Sequence, residues 1–249
     1  GRLHFFCVGR VLEQANIDWL KEIHQEGHPI GNHTYDHVNV HATDPVQTQF
    51  RFQRAPWLVA GRTAAEVIRH NIKMTTVGLK ERAGVDVNGF RTPGGFYNAL
   101  DGREDVQAIM QDSGFTWVSS KYPKHLSGEV GKPPGEEVYQ SIVDAQTHAQ
   151  PYRYPSGLIE IPMSPISDVT GFRTKKWELE WFLEATRRVV TWAIKTGSVF
   201  DFIAHPSCLV VEDPDFKTIH LMCKMVSDAK DRAEIVTLDQ IAKTVRANA

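Results

Sequence analysis

"LHFFCVGRVLEQANIDWLKEIHQEGHPIGN", residues 3–32, reads as strand, helix and strand. "LHFFCV" is a short apolar run bounded by polar residues, as a buried strand requires. In "NIDWLKEIHQEG", Asn16 stands where a helix is capped and Gly27 where one stops. "HPIGN" is short and apolar at its centre, and forms the return strand. Strands joined through a single helix run parallel, with a right-handed crossover.

The same alternation continues along the chain. "TAAEVIRHNIKMTTVGLKERAG" opens on a capping box, Thr63 with Glu66, and ends at Gly84. "VNGF" leads into Arg91. "DGREDVQAIMQDSG" repeats the helix signals with Asp101, Glu104 and Gly114, and "FTWVSS" follows as a strand. Later come the strand "LIEIP", the amphipathic helix "TKKWELEWFLEATRRVVTWAIKTG", and the strand "VFDFIA" running up to His205. Asp213-Pro214 predicts the start of another helix, with proline in its first turn. "EIVT" and a helix boxed by Thr237 and Gln240 close the pattern. Seven candidate strands alternating with helices predict a parallel sheet with helices outside it. An open doubly wound sheet and a closed barrel both satisfy this, and the barrel is preferred. One domain over residues 1–249 is expected.

Composition sets the outer limits. The chain is 41% hydrophobic and 23% charged with a net charge of −2, which gives no electrostatic case for nucleic acid or an anionic membrane as partner. No apolar run reaches the roughly 20 residues a membrane helix needs. Cys7, Cys208 and Cys223 show no CxxC spacing and are read as buried free thiols. No GxGxxG or GxxxxGK[ST] follows a strand, so a nucleotide site has no support. The sequence begins at Gly1 almost flush with "LHFFCV", from which a preceding segment is expected. Neither compartment nor oligomeric state is legible.

Chemistry-bearing residues gather where strands end. "GNHTYDH" follows the second strand, "FRTPGG" ends another and "FIAHP" a third. In α/β folds the site lies at the carboxyl ends of parallel strands, so one shared rim is expected. His33 and His37 are four apart, which in a helical turn points both imidazoles one way, toward one cation. One more turn along, His41 is read as a polar neighbour. Arg91 can grip a carboxylate bidentately, and the glycine backbone beyond it can present an N–H to an oxyanion. His205 can carry a proton to a leaving group. Each motif alone also fits a structural role.

Taken together and in this order, the motifs resemble the polysaccharide deacetylase family, the NodB-homology carbohydrate esterases. "HTYDH" matches that family's H-[ST]-x-x-H metal motif, "RTP" its R-x-P motif, and "IAH" a late motif ending in histidine. "FTWVSSKYP" and "LIEIP" are similar to the "YDSS" and E-I-P forms of subgroups that include peptidoglycan deacetylases and allantoinase-like amidases. The family's TFDD motif is absent, and Val118 stands where an acidic residue is usual. The resemblance implies a distorted (β/α)7–8 barrel, here lacking its first strand, and a metal-dependent hydrolase removing N- or O-acetyl groups from carbohydrates such as chitin-type or peptidoglycan N-acetylglucosamine. It further implies His33 and His37 as metal ligands, zinc as the first choice with cobalt, iron or manganese as alternatives, and His205, Arg91 and Gly94 in catalysis.

Two rivals stand beside this reading. One is an allantoinase-like amidohydrolase acting on another C–N bond. The other is a catalytically impaired carbohydrate-binding relative, holding sugar on Trp57, Tyr122 or Tyr154.

Overall fold

The structure, a computed structural model, describes residues 1–247. Its elements begin with β1 (Phe5–Cys7), α1 (Asp18–Gln25), β2 (Ile30–Asn32), α2 (Phe50–Arg54), α3 (Ala64–Ala83), β3 (Gly89–Phe96), α4 (Glu104–Asp112) and β4 (Trp117–Lys121). There follow α5 (Glu136–Ala145), β5 (Tyr152–Arg153), β6 (Ile159–Glu160), α6 (Leu179–Thr196), α7 (Pro206–Glu212), α8 (Lys217–Ala229) and α9 (Leu238–Ala247). Two compact units emerge. One holds residues 2–120, 152–161 and 237–247; the other holds residues 121–151 and 162–236.

The first unit is mixed α/β. Its six-stranded sheet runs β1-β2-β3-β4-β6-β5. The pairs β1–β2, β2–β3 and β4–β6 are parallel, and β5–β6 is antiparallel. The opening βαβ unit forms as expected, with Phe5, Phe6 and Cys7 in register with Ile30, Gly31 and Asn32. Asn16 Oδ1 accepts the Asp18 N–H at 2.7 Å ahead of α1. The capping box of α3 is complete: Glu66 N–H donates to Thr63 Oγ1 and Thr63 N–H to Glu66 Oε2, and Gly84 ends the helix in a left-handed conformation. Thr237 and Gln240 make the same reciprocal pair before α9. One expected cap moves: α4 is preceded by Arg103, not Asp101.

Two hydrophobic layers cover this sheet. Phe90, Val118, Tyr154 and Leu158 pack with α3 and α4 residues such as Ile68, Ile72 and Ile109. Trp117, Ile159 and Ile161 pack with Leu238 and Ala242 of α9, and the Trp117 indole donates to Asp239 at 2.8 Å. Gly89 makes this possible, since a Cβ there would sit 1.9 Å from the Trp117 ring.

The second unit is helical. Ile142, Phe172, Trp177, Phe182, Val189 and Leu209 form its core. "VFDFIA" and "EIVT", expected as strands, carry no ladder. Phe200, Phe202 and Ala204 still alternate, but they pack against the helical core rather than pairing along the backbone. The period of two is therefore met by side-chain burial alone, and six strands are laddered among the described residues where seven or eight were expected. Nor does Asp213-Pro214 begin a helix: the Asp213 carboxylate instead accepts the Lys217 and Thr218 N–H groups at 2.8 and 2.7 Å, capping α8. All three cysteines are free; Cys208 is buried as expected, whereas Cys223 is exposed.

Candidate functional site

Register places the first group of residues. Asn32, the last of β2, pairs with Phe90, so His33, the first residue beyond β2, stands level with Arg91 within β3. His33 N–H donates to the Cys7 carbonyl at 3.1 Å, tying the new loop to the end of β1. The loop is not the helical turn expected from the four-residue spacing. Thr34 and His37 both take left-handed backbone angles, φ 59° and 58°, which are costly for residues with a Cβ. Side chains of the neighbouring elements hold it there. Asn32 Oδ1 accepts the Thr34 N–H, Thr34 Oγ1 accepts the Val38 N–H, and Asn71 Oδ1 accepts the Asp36 N–H, at 2.7–2.9 Å. Strain maintained by surrounding structure is a mark of functional loops.

In this loop the His33 and His37 rings lie 4.9 Å apart, edge to face. His33 Nδ1 is 2.7 Å from the Arg91 carbonyl oxygen. A carbonyl only accepts, so that nitrogen carries the proton and the neutral ring keeps its lone pair on Nε2. Fixing the tautomer through the second ring nitrogen is how proteins present a metal-ligating histidine. The pair thus fits two ligand positions. Among the described residues no group of three His, Cys, Asp or Glu side chains is placed to hold a metal ion.

Neighbouring groups are committed elsewhere. Asp36 lies between two guanidinium groups, with Oδ1 2.6 Å from Arg10 and 2.9 Å from Arg51. Burial pushes the Cys7 thiol up to about 11, so it stays protonated at neutral pH. His41 Nε2 bonds to the Ala99 carbonyl at 2.9 Å, and its ring packs on Phe96. It is structural, as the reading of it as a bystander implied.

Arg91 is buried. Its guanidinium donates to Ser119 Oγ at 3.0 and 3.1 Å and lies over the Phe6 ring at 4.5 Å. His4 stacks on Phe6 in the same layer. Burial, with Arg91 adding to it, pulls its pKa down to about 3. Gly94 has φ +81° and open space where a Cβ would stand, which leaves its backbone exposed at the end of the strand segment. On β6, fully buried Glu160 accepts the N–H and hydroxyl of Ser120 at 2.7 and 2.6 Å and the Tyr154 hydroxyl at 2.8 Å.

Of the three aromatic residues expected to stack on sugar, only Trp57 is broadly exposed, at 72%. Tyr154 corrects that expectation. It is 2% exposed, its ring lies in the core, and burial beside Glu160 raises its pKa, so it has no free face. Tyr122, in the helical unit, is largely buried and hydrogen-bonded to Thr170 Oγ1 at 3.1 Å.

The helical unit holds the second group. His205 stands just before α7 at the end of an extended segment rather than of a strand. Its Nδ1 lies 2.8 Å from Asp168 Oδ1, and its N–H donates to Asp168 Oδ2 at 2.6 Å. Asp168 is fully buried while the imidazole is half exposed. A carboxylate on Nδ1 leaves Nε2 as the exchangeable position facing outward. The acid missing at Val118 thus has a counterpart 37 residues before His205. No local spacing announces it.

With these positions in place, comparison with known proteins adds the lineage. Residues 2–117 match the polysaccharide deacetylase family model. That stretch is similar to the polysaccharide deacetylase family. It contains His33, His37, Trp57, Arg91 and Gly94; His205 and Asp168 lie outside it. Two solved structures resemble this chain in fold. One is a protein assigned as a polysaccharide deacetylase from Mycobacterium smegmatis, with TM-score 0.66 and 18% identity over 98% of this chain and 72% of that one. The other is a protein so assigned from Pseudomonas aeruginosa PAO1, with TM-score 0.59 and 14% identity over 97% and 67%. At those identities the likeness is one of fold. No curated protein matches the chain.

Proposed function

We propose that this chain is a metal-dependent hydrolase that releases acetate from an acetylated carbohydrate, with N-acetylglucosamine polymers as the first substrate class. The observation that carries the reading is the 2.7 Å contact between His33 Nδ1 and the Arg91 carbonyl oxygen. The bond from Nδ1 to the Arg91 carbonyl turns Nε2 into a ligand beside the His37 ring. Zinc suits two imidazoles best, and cobalt, iron and manganese accept the same donors. A divalent cation held there would supply Lewis acidity toward the acetyl carbonyl and an acidified water.

The chain's own residues supply the rest. Arg91, fixed by Ser119 and Phe6, holds a permanent positive charge in a buried place, suited to orienting a carboxylate. The Gly94 N–H is the donor assigned to the tetrahedral oxyanion, where its left-handed backbone and absent side chain leave room for substrate. Hydrolysis breaks the C–N bond, and the departing amine takes a proton. The family resemblance gives the proton-donor role to His205, whose ring Asp168 holds through Nδ1.

Acetate release from N-acetylglucosamine oligomers with added zinc tests the reading, with a cyclic ureide assayed in parallel. Release abolished by EDTA and by His33→Ala is expected. Ring opening of the ureide without acetate release would assign the chain to the allantoinase-like alternative.

A further inference from the structure

Residues 45–62 form a lobe whose outer surface has no role in the site above. Its inner side is firmly anchored. Phe52 and Val59 are buried with Val38 and Val40 in the core, and Gln49 caps α2 through the Arg51 N–H at 2.6 Å. The same Gln49 donates to the Asp36 carbonyl at 2.9 Å, and Arg51 holds the Asp36 carboxylate, so the lobe is bonded to the loop bearing His33 and His37. Its outer side exposes Phe50, Trp57 and Leu58 by 59%, 72% and 42%. These residues occur among Arg51, Arg54 and Arg62, and the lobe contains no Asp or Glu. Arg54 lies across the Phe50 ring at 4.3 Å.

We propose that this lobe is a docking surface for an anionic glycan, a sugar polymer carrying carboxylate groups. The proposal rests on the carbohydrate reading above and narrows its substrate class. A flat, exposed indole such as that of Trp57 stacks on the apolar face of a pyranose ring, and a guanidinium group on the same lobe, such as Arg54 over Phe50, pairs with carboxylates. Arg51 is committed to Asp36, and Arg62 lies close enough to Glu66 to help lower its pKa, which leaves Arg54 as the principal cation. An anionic lipid surface would also meet aromatic and arginine side chains. It is disfavoured because the lobe is bonded to the histidine-bearing loop, where a bound polymer can extend.

The test is affinity electrophoresis and titration calorimetry of the full chain with polygalacturonate, in EDTA throughout. Hydroxyethylcellulose is the neutral control, and phosphatidylglycerol vesicles are the lipid control. Trp57→Ala and the double variant Arg54→Gln/Arg62→Gln are compared with the parent after confirming unchanged melting. Polygalacturonate binding that falls with salt and weakens about tenfold or more in each variant is expected. Four results would overturn the proposal: no binding, binding unaffected by either variant, equal binding to hydroxyethylcellulose, or vesicle binding without polygalacturonate binding. EDTA removes any dependence on metal or turnover, so failure of the hydrolase reading appears in the acetate assay alone.

Discussion

Single residues carry much of the account, and three can be tested individually. Asp168 accepts hydrogen bonds from His205 and from the Val169 N–H, so Asp168→Asn places an amide donor against existing donors. It should lower acetate release by about 10²-fold or more, the usual range for a mispositioned proton carrier, and shift its pH profile. His205→Gln should lower release similarly but leave stability within about 1 kcal/mol, because its side chain is half exposed. Denaturant melts beside the assay separate the two effects. His4 makes a prediction about pH. Its folded pKa of about 3 lies below the ordinary 6.5, so the unfolded chain takes up a proton that the folded chain refuses. Stability from this residue is complete above pH 6.5 and is lost as pH falls toward 3, at about 1.4 kcal/mol per pH unit for one proton. Urea melts between pH 6.5 and 4.5 should show that slope, and His4→Phe should flatten it. An identical slope in the variant would refute the assignment.

At the level of elements, local signals served where local bonds decide. The Thr63–Glu66 and Thr237–Gln240 boxes formed as their spacing indicated. Thr63→Ala should therefore cost about 1 kcal/mol in a denaturant melt. Gly89→Ala should cost considerably more, about 2–3 kcal/mol or failure to fold, because its Cβ would enter the Trp117 ring. Near-wild-type stability of Gly89→Ala would mean that Trp117 does not occupy its place over β3. Non-local signals failed. "VFDFIA" has a strand's alternation, but whether it pairs depends on a partner strand that no local pattern specifies. His33 and His37 likewise share a direction through a strained loop, although their spacing suggested a helix. Asp168 could not be assigned to His205 from sequence, because their contact is made only by the fold.

Across the molecule, the parallel sheet and the order of the motifs were legible because both follow from the βα rhythm and from short, specific residue strings. The division into two units was not, since it depends on which distant segments pack together. The family match over residues 2–117 takes in the histidine pair and Arg91, and the sheet register independently puts His33 level with Arg91. The central claim is that this pair receives a metal. Zinc titration by calorimetry at pH 7.5, with metal content measured after desalting, tests it most directly. The account predicts one zinc per chain, with binding lost in both His33→Ala and His37→Ala and weakened as pH falls and the imidazoles protonate. Absence of zinc binding, or binding that survives both substitutions, would contradict it.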